Sequence, residues 1–269
     1  NMSKILNDYQ AKGLANRIAN FNLSGKDKED FTELYEQLSM LYLLVQALKK
    51  IETFEADFQA DLLTLAGVSN RKEDILKLAE PVQDHWQVVA IHQYKEEQKL
   101  QVRKVWLLGA LTQKYALLLD FVYGEEARFE TDFAIGLGLD AELCFYPSVQ
   151  PFRALIKNQE LAYPSQEELK FLPSLENFLD SFSLALGKNP WLSDFPCGLA
   201  KVQIRKQDEV FQLVDNQGFI IPVSSKFEKN WELYLFSEGQ DFAVFGEWNG
   251  KELLPLTVYN RSCFLNLVG

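Results

Sequence analysis

Three apolar runs lie close together in the middle of the chain, Trp86–Ile91, Val102–Leu108 and Tyr115–Val122, with short polar stretches between them. Runs of this length, rich in β-branched and aromatic residues, predict three successive antiparallel strands within Asp84–Tyr123. The third, Tyr115 to Phe121, is apolar but for Asp120, which predicts a central strand buried on both faces.

Ahead of these strands the rhythm is helical. Phe31, Leu34, Leu38, Leu41, Val45 and Leu48 recur every three or four positions and predict a helix capped by Asp27. Leu6–Phe21 predicts an earlier helix. Thr53–Leu65 predicts a later one that stops at Gly67, and Arg71–Ala79 a short one capped by Ser69 or Asn70 and stopped by Pro81. Together they predict a small N-terminal bundle.

Beyond Tyr123 period-two alternation returns. Leu139–Tyr146, Phe152–Ile156, Lys201–Arg205, Val210–Val214, Phe219–Val223, Trp231–Ser237 and Asp241–Glu247 read as strands, and Phe129–Ile135 as an edge strand or an irregular crossing. The capping box SQEE at Ser165–Glu168 opens a predicted helix that restarts at Ser174 and carries Leu175, Phe178, Leu179, Phe182 and Leu186. Asn249-Gly250 predicts a tight hairpin, and Pro255 makes Leu256–Tyr259 an edge strand or a separate extension. The fold class is therefore α+β, an N-terminal helical bundle followed by predominantly antiparallel β-sheet with an inserted helix. The expected domains are a helical one over 1–80, a sheet domain with a C-terminal helix over 81–188, and a β-rich region over 189–269 that stands alone or continues the second.

Composition narrows the function. With 27 Lys and Arg against 38 Asp and Glu, the net charge of −11 opposes a phosphate backbone. The densest basic run, Lys95–Lys104, contains two glutamates, so direct nucleic-acid binding is not expected. Three cysteines, Cys144, Cys197 and Cys263, lie more than 50 residues apart, which leaves no disulfide framework and no CxxC pair. Cys197, in a Pro-Cys-Gly bend, is expected to be the more exposed of them. No apolar run reaches membrane-spanning length and the first residues lack a secretory core, so a cytoplasmic location is expected.

No coherent reactive set emerges. His85 and His92, seven residues apart in or beside one regular strand, point to opposite faces and share no metal. Asp84 reads as a strand-entry turn residue or as a partner of His85. Cys144 would need one of the histidines beside it to act as a nucleophile. Asp120, Asp132, Asp140 and Glu142 recur around the first sheet, the acids of an alternative reading as a hydrolase. Gly136-Leu-Gly-Leu-Asp lacks the third glycine of a dinucleotide fingerprint, and Ser24-Gly-Lys lacks a phosphate loop. Catalytic residues, metal ligands and cofactors are accordingly all assigned as none. Aromatic residues offer a binding surface instead, with Trp191, Phe195, Trp231 and Trp248 the candidates, and the loop Asn189–Gly198 an ordered presenter.

The order of pieces carries a resemblance. A helical stretch ending in KEDIL, then Asp84-x-Trp86, RKVWLLG, YALLLDF, LDAELCFYPSVQPFRAL and FGEWNGKELLPLTVY resemble the C-terminal portion of bacterial SWIM zinc-finger family proteins. Arg103 and Trp106, Asp120 and Phe121, Glu142–Arg153 and Gly246–Leu256 stand where that pattern has its counterparts. The run Arg103-Lys104-Val105 is one residue longer than the pattern, and the tail from Asn260 departs from it. The name-giving CxCx(n)CxH motif is not found. The resemblance implies a protein encoded near MoxR-type AAA+ ATPases and von Willebrand A-type proteins. It points to a non-catalytic intracellular interaction or adaptor module whose partner is a component of such an ATPase system. A further alternative is an accessory part of a nucleic-acid-binding protein whose zinc finger lies elsewhere.

Overall fold

The computed structural model describes residues 13, 14, 18, 28–96, 100–124, 128–160, 163–164, 168–260 and 263–268. They divide into two compact units, one formed by 1–79 with 146–151, the other by 80–145 with 152–269.

The first unit is helical. Helix α1 (Lys28–Lys49) buries Leu44, which lies off the predicted rhythm, while Leu38 on that rhythm is exposed; α2 (Ala56–Ala66) buries Leu62. Gly67 ends α2 at φ 99°, its N–H returning to the carbonyls of Leu63 and Thr64, as the C-terminal glycine predicts. Helix α3 (Lys72–Leu78) follows Arg71 as its flanking residue, with no side-chain cap, so Ser69 and Asn70 do not fill that role. The Val149 N–H donates to the Asp61 carboxylate at 3.1 Å, tying 146–151 to α2. The predicted helix Leu6–Phe21 and the Asp27 cap lie outside the described residues, apart from helical positions 13, 14 and 18.

The second unit contains two sheets. The first holds β1 (Val82–Lys95), β2 (Leu100–Gly109), β3 (Tyr115–Tyr123), β4 (Leu137–Phe145) and β5 (Ala154–Gln159) in the order β3-β2-β1-β4-β5, with β6 (Tyr163–Pro164) beside the start of β4. The second holds β7 (Phe195–Gln207), β8 (Val210–Val214), β9 (Ile220–Pro222), β10 (Phe242–Trp248), β11 (Leu253–Asn260) and β12 (Cys263–Asn266) in the order β12-β11-β10-β7-β8-β9. Helix α4 (Leu175–Lys188) precedes β7, and α5 (Asn230–Ser237) separates β9 from β10.

These two orders are one plan used twice. In each, a three-stranded meander is followed by a fourth strand that returns to the free edge of the first, and a fifth that pairs with the fourth. The third and fifth strands then meet in parallel. Leu117 bridges Arg153 in the first sheet, where the Leu117 N–H reaches the Phe152 carbonyl at 2.7 Å. Val223 bridges Leu253 in the second, where the Ser224 N–H reaches the Leu253 carbonyl at 2.7 Å. Even the irregularity recurs, since the fifth strand carries one extra residue against the fourth in both sheets, Lys157 in one and Leu256 in the other. The connectivity is that of the five-stranded Greek-key barrel of OB type.

Each barrel has its own core. Trp86, Val88, Val105, Leu107, Leu118 and Leu143 fill the first, while Leu199, Leu213, Val244 and Leu253 fill the second together with Phe178 and Phe182 of α4. Ser174 caps α4 as the restart predicts, accepting the Asn177 N–H at 3.2 Å. A third cluster joins the barrels, with Ala90, Trp106 and Leu108 from the outside of the first meeting Phe245 and Leu256 from the outside of the second.

That third cluster explains why both faces of β3 are apolar from Tyr115 to Leu119 although it is not the expected central strand. It lies at the end of the sheet order with Phe121 and Tyr123 exposed; Ala116 and Leu118 face the barrel interior, and Tyr115 and Leu117 pack toward the second barrel. Pro255 is likewise no sign of an edge, because β11 runs between β10 and β12 and the proline sits beside the bulge at Leu256, where the ladder is already interrupted.

Three further expectations change. Trp231–Ser237 is helix α5 rather than a strand: its buried positions, Leu233 and Ser237, are one helical turn apart, while Trp231 and Leu235 are exposed. Its aromatic content suggested β structure, and a single core anchor on the helical period overrode it. Glu168 lies in non-helical chain rather than in a helix opened by SQEE, whose first three residues lie outside the described ones. The presumed loop Asn189–Gly198 becomes β7 from Phe195 onward.

At Gly198 of β7 there is no room for a side chain, since a Cβ would overlap the Tyr115 hydroxyl of the first barrel and lie 2.5 Å from the Phe171 ring. Gly198→Ala is therefore expected to destabilise the protein by about 1–3 kcal/mol through overpacking. Gly187→Ala, with nothing within 4 Å inside α4, is expected to be neutral or to stabilise by up to about 1 kcal/mol. Chemical denaturation of the two variants checks both signs.

Candidate functional site

The candidate reactive residues of the first barrel are held in separate cross-strand pairs. His85 Nδ1 lies 2.8 Å from Asp140 Oδ1, the two residues facing each other across β1 and β4. Arg103 on β2 donates to the Asp120 carboxylate of β3 directly opposite, at 2.6 and 3.1 Å, and to the Thr131 carbonyl at 2.7 Å. Glu142 accepts from the Asn158 side chain at 2.6 Å, again straight across the ladder. Asp132 is exposed on the crossing between β3 and β4. Asp84 is buried within β1 rather than in a strand-entry turn, and its carboxylate accepts the N–H groups of Leu111 and Thr112 and the Thr112 hydroxyl at 2.5 to 3.0 Å. It thereby fixes the β2–β3 turn.

The histidines do share a face, contrary to the regular-strand expectation. A bulge at Val89 breaks the register of β1 against β2, turns Val89 and Ala90 both toward the second barrel, and brings His92 onto the same side as His85. Seven residues of strand still separate them by about 20 Å, too far for one metal. Cys144 is four residues along β4 from Asp140, about 13 Å from the His85 pair by strand rise. Cys197 is fully buried in β7, where burial pushes its thiol up, and Cys263 is the exposed cysteine instead. Among the described residues no group of three His, Cys, Asp or Glu side chains is placed to hold a metal.

The concentrated electrostatics lie between the barrels. Lys104, opposite His92 in the β1–β2 ladder, extends its ammonium to Glu247 of β10 at 3.0 and 3.1 Å and to Asp194, just ahead of β7, at 3.0 Å. Trp106, two residues along the same face of β2, donates its indole N–H to Glu247 at 2.8 Å. Glu247 is 5% exposed. Burial disfavours the Lys104 charge, but Glu247 and Asp194 outweigh it and hold the ammonium above its ordinary range. Burial raises the Glu247 carboxyl, with Asp194 adding to the rise and Lys104 and Trp106 opposing it. Burial, then the Lys104 charge, push His92 down, and its Nδ1 is buried without a hydrogen-bond partner among the described residues.

Chemically this cluster is a clamp. A lysine kept charged has no lone pair for nucleophilic attack, and its carboxylates are engaged by an ammonium and an indole. Nearby, the Tyr259 hydroxyl of β11 donates to the carbonyl of the bulged Val89, a second polar tie across the same seam.

The comparison with known proteins bears on the other unit. Residues 1–66 match the SWIM-associated four-helix bundle domain. No curated protein matches the chain. The matched stretch is thus similar to an accessory domain that, by its description, accompanies SWIM modules. It ends within α2, so the strand motifs from Asp84 to Leu256 that carry the SWIM resemblance all lie beyond it.

Of the four aromatic residues expected at a binding surface, Phe195 and Trp248 are not available. Each is 5% exposed in the core of the second barrel, where Phe178 and Phe182 of α4 pack against both rings. Trp191 is half-buried, its backbone N–H donating to Asn189 Oδ1 at 3.0 Å. Trp231 is 58% exposed. Sequence reasoning missed the clamp because its members lie 90 and 143 residues from Lys104. Moreover, Lys104 and Arg103 sit in the densest basic run of the sequence, yet both are paired and largely buried.

Removing one partner of the clamp strands the other charge. Lys104→Met and Glu247→Gln are each expected to cost about 3–5 kcal/mol, and the double variant less than their sum, in a denaturation double-mutant cycle. The His92 folded-state pKa lies below the 6.5 of the unfolded chain. Its contribution is therefore complete above that value and is lost as pH falls through the folded pKa. Wild type is expected to lose stability on acidification below pH 6.5 relative to His92→Gln, measured by urea midpoints at successive pH values.

Proposed function

We propose that the chain is a non-catalytic intracellular protein-interaction module, an adaptor built from a SWIM-associated helical bundle and a tandem barrel. The observation that carries this reading is the commitment of four of the candidate reactive groups to separate partners. His85 is paired with Asp140, Asp120 with Arg103, Glu142 with Asn158, and Lys104 with Glu247. General acid–base or nucleophilic catalysis needs such groups convergent on one reacting atom, and here they are spread over strands at separate ladder positions.

Recognition by an open barrel face is also restricted. The outer face of β2 and β3, the side on which barrels of this connectivity take oligonucleotides, packs in the first barrel against Phe245 and Leu256, although Phe121 and Tyr123 at the far end of β3 stay exposed. This supports a protein partner over a nucleic acid, in keeping with the net charge of −11. Components of a MoxR-type AAA+ system are the partners that the SWIM resemblance suggests. The match at 1–66 supports the SWIM association alone.

Affinity purification of the full chain from a bacterial lysate, run beside a panel of hydrolase substrates, tests the reading. A partner retained by wild type and by Asp120→Asn and Glu142→Gln variants, with no turnover, is expected. Turnover abolished by either replacement while folding is preserved would overturn it.

A further inference from the structure

The two barrels give an internal comparison for the segment that joins the third strand to the fourth. In the first barrel that segment turns its aromatics inward, with Phe129 and Phe133 half-buried at 4.2 and 5.2 Å from the Arg103 guanidinium carbon. In the second it is α5, and three large side chains face outward, Trp231 at 58%, Tyr234 at 43% and Leu235 at 72% exposure. The connection does not require this exposure, because its counterpart avoids it. The helix is already anchored by Leu233, fully buried in the barrel core.

The outward residues are also held in place before any partner arrives. Trp231 meets the Phe211 ring edge-on at 5.3 Å and Tyr234 at 5.9 Å, and the Lys206 ammonium lies 5.2 Å from its ring. A ring fixed on several sides loses little side-chain freedom on binding. Trp231 and Leu235 are one helical turn apart and form a short apolar ridge. The rim is acidic on balance: Glu209, Glu228, Glu232, Glu238 and Asp241 are exposed on or beside it, against Lys226, Lys229 and Lys206, the last already paired with Glu209 at 2.7 Å.

We propose that this ridge of α5 is a docking site for a basic amphipathic helix of a partner protein. This rests on the interaction-module reading and names the chemistry of its partner. An apolar ridge is matched by an apolar helix face, and an acidic rim by the lysines and arginines flanking that face. Membranes are the poorer fit, since the same rim repels anionic lipid headgroups.

The test titrates the full chain with a fluorescently labelled, 18-residue lysine–leucine peptide of helical amphipathic design. Its controls are a scrambled peptide of equal composition and a glutamate–leucine counterpart. Saturable binding of the first peptide is expected, with at least tenfold weaker binding of both others. Leu235→Glu is expected to weaken binding at least tenfold. Leu235 is largely solvent-exposed, so this variant is expected to keep the wild-type unfolding midpoint; Trp231→Ala checks the same ridge. Equal binding of the scrambled peptide, or undiminished binding to Leu235→Glu, would overturn the proposal. Capture of a natural partner by Leu235→Glu at wild-type level would also overturn this site while leaving the wider interaction reading in place.

Discussion

The second unit depends on the apolar seam between two barrels and on the single ammonium group set into it. Ala90, Trp106 and Leu108 on one side and Phe245 and Leu256 on the other remove a continuous surface from water. Lys104 would be costly in such a place alone. It is tolerated because Glu247, Asp194 and the orientation of Trp106 surround it with charge and hydrogen bonds. Apolar contact alone would allow the sheets to slide over one another, whereas a buried charge with fixed partners has only one position in which every group is satisfied. The clamp thus sets the register of the barrels while the apolar seam supplies the attraction.

Repetition of one connectivity makes the differences between the barrels informative. Both use a parallel contact between third and fifth strands, and both place a bulge in the fifth. They diverge where each meets the rest of the chain. The connection between fourth and fifth strands of the first barrel, 146–151, belongs to the helical unit, where Val149 bonds Asp61. Its counterpart in the second is the short turn Asn249–Glu252, in which Gly250 takes a φ of 96° and the Asn249 side chain accepts the N–H groups of Lys251 and Glu252. The third-to-fourth connection diverges as well, irregular in the first barrel and the helix α5 in the second.

Local signals in the sequence were reliable where one interaction within a few residues decides the outcome. The strands β1 to β3, the Gly67 stop, the Ser174 cap and the Asn249-Gly250 turn are of that kind. Legibility failed where distant chain segments decide. The apolar run of β3 looked like a doubly buried central strand because its outer positions, Tyr115 and Leu117, face a second barrel that no local pattern announces. The histidines looked opposed because a bulge at Val89 is invisible in alternation. Phe195 looked like a surface anchor because Pro196 and Gly198 suggested a loop, and Trp248 because its ring offers large area with a polar handle, whereas α4 covers both. The resemblance pointed to the SWIM association through strand motifs, and the match falls on helices that precede them.

If the seam and its clamp unite the barrels, they must open together. Native-state amide hydrogen exchange in rising denaturant measures this directly by comparing β2 from Lys104 to Leu108 with β10 from Val244 to Glu247. Both segments are predicted to lose protection at the same denaturant concentration and with the same dependence on it. Loss of protection in β2 and the rest of the first barrel, while β10 and β11 remain protected, would contradict the account.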